Sequence, residues 1–220
     1  MTGNELSANL GLRLEDPAAS VFTSAAKVDA INMGQKTVVN MVDNSYLSEL
    51  QTASGTVAVT AGSLSYGVAF PSGGNPIRNG IIGVKDITNS LWCTMVEPQD
   101  IKRLENSYLN GSAQNPVAYA FNEVIYVSGG ATQADVWYIQ SPTDYDSTDA
   151  TGGAGGMAYE CELNPALQEL VLDFAEAQLW RMDAKPDRAA AAYSNALNVI
   201  KVLNERYQVE KPEGIGTKGR

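Results

Sequence analysis

"QELVLDFAEAQLWRMDAKPDRAAAAYSNALNVI", residues 168–200, carries the clearest periodicity in this 220-residue chain. Leu167, Leu170, Val171, Phe174 and Ala177 repeat at helical spacing on one side, while Leu172, Ala175, Leu179 and Met182 repeat on a second. A helix apolar on two sides belongs between layers and does not rest on one surface. Asn164 and Pro165 open it as N-cap and first helical residue. Beyond the Lys185-Pro186-Asp187 corner, Tyr193, Ala196, Leu197, Ile200, Leu203 and Tyr207 form a single stripe, and the alanines at 189–192 let a neighbour approach closely. Neither helix bears a group that obviously does chemistry.

Working outward, Leu6, Leu10 and Leu14 stand at successive i,i+4 positions before Asp16-Pro17, which predicts a short amphipathic helix. Val28, Ile31, Gln35, Val38, Val39 and Val42 predict a longer one, with Ser24 as N-cap and Gly34 as a weak spot. After residue 52 the apolar period shortens to two, and Gly, Ser, Thr and Pro become frequent. "GTVAVTAGSLSYGVAF", "NGIIGVKDI" and "LWCTMV" read as strands, "PSGGNPIRNG" as a turn-rich loop and "EPQDIKRLEN" as a short helix. "PVAYAF", "EVIYVSG" and "ADVWYIQSP" read as a meander or a pair of hairpins. Residues 141–158 hold too little apolar content to pack and read as a loop or flexible arm.

The chain therefore reads as α+β. A helix pair from each end forms one four-helix bundle, a β-rich insertion lies between the halves, and a flexible C-terminal tail follows. The segments are residues 1–52 and 163–207 for the helix pairs, 53–140 for the insertion, 141–162 for an acidic Gly-rich loop and strand, and 208–220 for the tail.

Composition removes several function classes. There is no His, so zinc enzymes, Ser-His-Asp hydrolases and Cys-His proteases are excluded in their usual forms. Cys93 and Cys161 have no CxxC spacing and are expected as two reduced, partly buried thiols, a disulfide between them being the alternative. The first residues lack a basic region followed by an apolar run, so no signal peptide is expected, and no window is long enough to span a bilayer.

The net charge of -10 is unevenly spread: residues 104–180 carry 11 Asp and Glu and no Lys or Arg. A basic stripe that would grip nucleic acid is missing, and the acidic segment reads first as a solvated face. "GAGGMA" at 153–158 matches a loose dinucleotide pattern but lacks a strand before it and a helix after it, so a linker is the better reading. "DYDSTD" invites a calcium loop, yet its fifth, sixth and twelfth places hold Thr148, Asp149 and Gly155, which do not fit. No phosphate-binding loop, zinc-protease or nucleophile-elbow motif occurs. The closing hairpin echoes a tetratricopeptide unit, but no second copy stands at the required period. Enzyme activity, a cofactor and a metal are not expected.

As a whole, the order "ELSANLGLRLED", "AAKVDAINMGQKTVVNMV", "VEPQDIKRLENSYLNG", "NPVAYAFNEVIYVSG", "ADVWYIQSPTDY" and the closing helix pair resembles the head-tail adaptor, or connector, proteins of tailed bacteriophages. That resemblance implies a structural virion protein of the neck, assembled in the bacterial host cytoplasm. It implies a ring of identical subunits, usually dodecameric, docked under the portal protein and extending the DNA channel toward a downstream neck, nozzle or tail protein. DNA would pass without specific binding, and no membrane would be involved. By analogy the C-terminal segment reaches the portal, which nominates Gln208, Val209, Lys211, Ile215, Lys218 and Arg220. Glu105, Glu123, Asp135, Asp144, Asp146 and Asp149 become candidates for lining the channel, where like charge would keep DNA from sticking. Leu172, Leu179, Trp180, Met182 and Tyr193 become candidates for the subunit interface. The alternative is another virion or scaffold protein, tail- or capsid-associated, that uses the helical hairpin to bind a partner.

Overall fold

A computed structural model describes residues 1–70, 76–97 and 111–210. The chain is mixed α+β and folds as two compact units, one made of residues 1–50 with those from Pro142 onward, the other of Gln51–Ser141.

In the first unit, α1 (Gly3–Arg13) starts in a capping box: the Glu5 N–H donates to the Thr2 hydroxyl, and the Thr2 N–H donates to the Glu5 carboxylate. It buries Leu6 and Leu10, as the i,i+4 spacing requires. Helix α2 (Ser24–Met41) is capped one residue earlier than the sequence indicates, by Thr23, whose hydroxyl accepts from the Ala26 N–H at 3.2 Å. Two 3-10 turns, Asn44–Tyr46 and Ser48–Leu50, close the first half of the unit.

The first helix of the closing pair, Pro165–Met182, begins at the Asn164 cap and is numbered α4 below; its partner α5 spans Pro186–Glu210. Both of the α4 stripes are buried except at Met182, because α4 packs against α2 on one side and α5 on the other while α1 also touches it. The α2–α4 crossing is close enough that a Cβ on Gly34 would stand 2.6 Å from the Val171 carbonyl oxygen. Ala184, at φ 53°, turns the chain into α5, which buries Ala189, Ala196 and Ile200. No Gly or Pro follows Pro186 until Pro212, so α5 runs through Gln208 and Val209 to Glu210, where an extended tail was expected from 208.

Residues 142–163 also depart from expectation. The loop is not a free arm but a strap fastened to its own unit. The Asn32 side chain pairs reciprocally with the Tyr145 backbone, donating to its carbonyl and accepting from its N–H, both at 2.9 Å. Thr2 bridges Glu160, and the Asp146 N–H donates to the Gly155 carbonyl. Apolar content alone underestimated it, because Tyr145, Met157, Cys161 and Leu163 anchor it while backbone groups pair along the way.

The second unit holds two four-stranded sheets. The strands are β1 (Gln51–Ala58), β2 (Ser63–Ser65), β3 (Pro76–Asp86), β4 (Leu91–Trp92), β5 (Thr94–Met95), β6 (Val117–Phe121), β7 (Val124–Val127) and β8 (Gln133–Gln140). A short helix α3 (Tyr66–Ala69) follows β2. The sheet orders are β1-β8-β3-β4 and β2-β7-β6-β5, antiparallel except for the parallel β5–β6 pair. The expected hairpin is β6–β7, joined by Asn122 and Glu123, both at positive φ as a two-residue turn of this hand demands. A continuing meander is not formed. Gly129 and Gly130, at φ 88° and 78°, turn the chain away, and β8 pairs with β1 and β3 in the other sheet. Part of the expected loop at 71–80 is strand instead, since β3 starts at Pro76; residues 71–75 and the expected helix of 98–106 lie outside the described residues. Leu64, Phe70, Val84, Ile125, Val136 and Tyr138 contribute to the core of this unit.

Candidate functional site

Arg13, in the last turn of α1, joins three helices. Its guanidinium pairs with Glu169, with Asp173 at 2.6 Å and with Glu176 at 3.8 Å, carboxylates that share one face of α4. Asn195 of α5 donates to the other Asp173 oxygen at 3.0 Å. A cleft of about 320 Å³ lies here, lined by Arg13, Asp173, Glu176, Trp180, Arg188, Ala191, Ala192 and Asn195. Its charges are already matched to one another, so it works as a clamp on the helices. The sequence signal for it was the i, i+4, i+7 spacing of acids on α4, which the reading of a uniform acidic face passed over.

A second polar centre lies between α1 and α2. Asp16, buried, accepts from the N–H groups of Ser20, Val21 and Phe22 and from the Ser20 hydroxyl. The Lys27 ammonium stands 3.4 Å from its carboxylate and donates to its backbone carbonyl. The Phe22 hydrogen bond, foremost, holds the Asp16 carboxyl far below the usual carboxylate range. This arrangement sets the angle at which the chain enters α2.

The proposed subunit-interface residues divide. Leu172, Leu179 and Trp180 are buried within the chain itself and have no apolar surface left for a neighbour. Trp180 meets Phe22 edge-on at 6.1 Å, donates from Nε1 to Glu176, and carries Lys185 and Arg188 over its ring. Tyr193 is half-buried against Phe174, with Arg181 over its ring. Met182 is 65 % exposed and remains open to a partner. A double apolar stripe does not tell a helix sandwiched by its own chain from one covered by another copy.

Of the acidic candidates, Asp144, Asp146 and Asp149 share the strap of the first unit. Asp144 pairs with Lys36 at 2.6 Å, Asp149 accepts from the Thr151 N–H, and Asp146 accepts from the Thr148 N–H and hydroxyl, which lowers its pKa. Glu123 is exposed at the β6–β7 turn, and Asp135 is half-buried on β8, both in the second unit. Glu105 lies outside the described residues, as do Lys211, Ile215, Lys218 and Arg220; Gln208 and Val209 lie on the last turn of α5. Among the described residues no group of three or more His, Cys, Asp or Glu could hold a metal ion, and no helix is long and apolar enough to cross a membrane. Cys93 and Cys161 are free and buried; burial pushes the Cys93 thiol up to about 11 and raises that of Cys161 as well.

One surface was missed. Trp92 and Trp137 stand side by side on the outer face of the β1-β8-β3-β4 sheet, 56 % and 42 % exposed, with ring centroids 5.9 Å apart. The signal was present in "ADVWYIQ": Trp137 falls in the half of the alternation that Asp135 occupies, opposite the inward Val136 and Tyr138.

Compared with known proteins, residues 1–214 match the family model described as SU10 adaptor protein. No curated protein matches the chain.

Proposed function

The chain belongs to the SU10 adaptor protein family, a structural component of phage virions, and from that premise we propose that it acts in the neck as a head-tail adaptor. Identical subunits assemble into a dodecameric ring under the portal, extend the DNA channel and present the next surface to a downstream neck, nozzle or tail protein. The observation that carries this reading is the family match over residues 1–214, which spans both units. In this reading the clamp that Arg13 makes between α1, α4 and α5 stiffens the helices for bearing load between neighbours.

In this reading Glu123, Asp135, Asp144, Asp146 and Asp149, with Glu105, repel passing DNA from the lumen, and the residues from Gln208 to Arg220 engage the portal. Electron micrographs of the protein mixed with portal test the proposal. Rings seated coaxially on the portal are expected, and a chain that stays monomeric and ignores the portal overturns it.

A further inference from the structure

Strand β8 turns Val136 and Tyr138 into the core and sends Asp135 and Trp137 to the opposite face of its sheet. Gly83 is the cross-strand partner of Trp137, and a Cβ there would lie 3.2 Å from the ring of Trp92. The missing side chain lets Trp92 lie over the strand beside Trp137. The ladder shifts between Ile81 and Gly83, which leaves Ile82 without a cross-strand partner and 46 % exposed. Nearby, Lys85 and Asp135 are register partners of opposite charge, so the face has no local charge excess. Two half-exposed indoles on a locally neutral sheet face form an anchor for a protein partner, since Trp is the residue most enriched where binding energy concentrates.

The chain carries a counterpart. Val199, Val202 and Arg206 follow one another on a side of α5 distinct from that of Ala196 and Ile200, and Val199 and Val202 are exposed. Lys201 and Glu205 beside this row are balanced in an i,i+4 pair. An apolar row ending in a guanidinium complements exposed indole faces, because a cation is drawn to the aromatic face. In a chain of net charge -10, two copies meet most readily where their surfaces are locally balanced.

Resting on the ring reading above, we propose that the Trp92–Trp137 face of one copy docks the outer row of α5 of the next. Sheet face and helix row are different surfaces, so the contact is head-to-tail and can propagate around a closed ring. Trp92 and Trp137 are the anchors of that interface, and Val199, Val202 and Arg206 are what they receive.

The test uses the full chain with a photo-crosslinking benzoylphenylalanine at position 137, assembled from isotopically light and heavy copies, alone and with portal. Mass spectrometry is expected to find links from position 137 to α5 residues 195–206 of another copy. Trp92→Ser with Trp137→Ser, and separately Val202→Asp, are expected to abolish rings while the melting temperature stays near that of the parent. If the parent forms rings but the variants do too, or if the links fall elsewhere, this interface is wrong and the adaptor reading stands. A parent chain that forms no ring with or without portal overturns both.

Discussion

Gly34 marks the point where α2 and α4 come nearest, and its role inverts what helix propensity alone would say. Propensity favours Ala over Gly inside a helix by about 1 kcal/mol. With the Val171 carbonyl oxygen 2.6 Å from where a Cβ would stand, Gly34→Ala must push the helices apart, and we expect a net loss of about 1–3 kcal/mol in urea unfolding. Asp16 gives a prediction in pH. Its native carboxyl is held ionised well below the ordinary value of about 4, so its stabilisation is complete above that pH and is lost as pH falls below it toward the depressed native value. Melting curves from pH 7 to pH 2 should therefore fall more steeply for the parent than for Asp16→Asn. The variant should already melt lower at pH 7, because its amide cannot accept the same set of N–H donors; parallel curves would refute the assignment. Sequence reading placed Asp16 at a helix stop but could not show that residues 20–22 fold back onto it, since a turn's donors are set by the path of the chain.

Among elements, α4 shows both the reach and the limit of periodicity. Its cap, its start at Pro165 and its two apolar stripes are all legible in the sequence, and all are found. Which of those side chains serves the chain's own core and which a partner was not legible, because a 3.6-residue period records only that a face is covered. Leu179 is buried and Met182 is exposed, so they answer differently to truncation. Leu179→Ala is expected to cost about 2–5 kcal/mol of stability, as large-to-small changes in a core do. Met182→Ala should leave the melting temperature nearly unchanged, and if Met182 serves the interface it should reduce ring yield; a large fall in melting temperature for Met182→Ala would contradict its exposure. In the β unit the two-period pattern marked where strands occur but neither their bounds nor their partners: the stretch 55–70 holds the end of β1, β2 and the helix α3, and "LWCTMV" breaks at Cys93 into β4 and β5 of different sheets. Register partners depend on the turn after each strand, and the glycines at 129 and 130 send β8 to the sheet that alternation could not choose.

For the whole molecule, the expected outcome of removing residues 211–220 is loss of portal docking in a pull-down with no change in melting temperature. Retained docking would move the portal contact elsewhere. By itself the sequence determined the α+β class, the start of α4, the missing histidine chemistry and the order of segments that marks an adaptor. These depend on local period, capping and composition, which a chain displays along its length. Only the tertiary structure decided that Arg13 clamps α4, that Asn32 fastens the acidic strap, that Gly34 seats one helix on another, and that Trp92 and Trp137 share an outer face. Each of these joins residues far apart in sequence or on separate strands. Such contacts follow from where packed layers bring backbones together, and no local pattern encodes that distance.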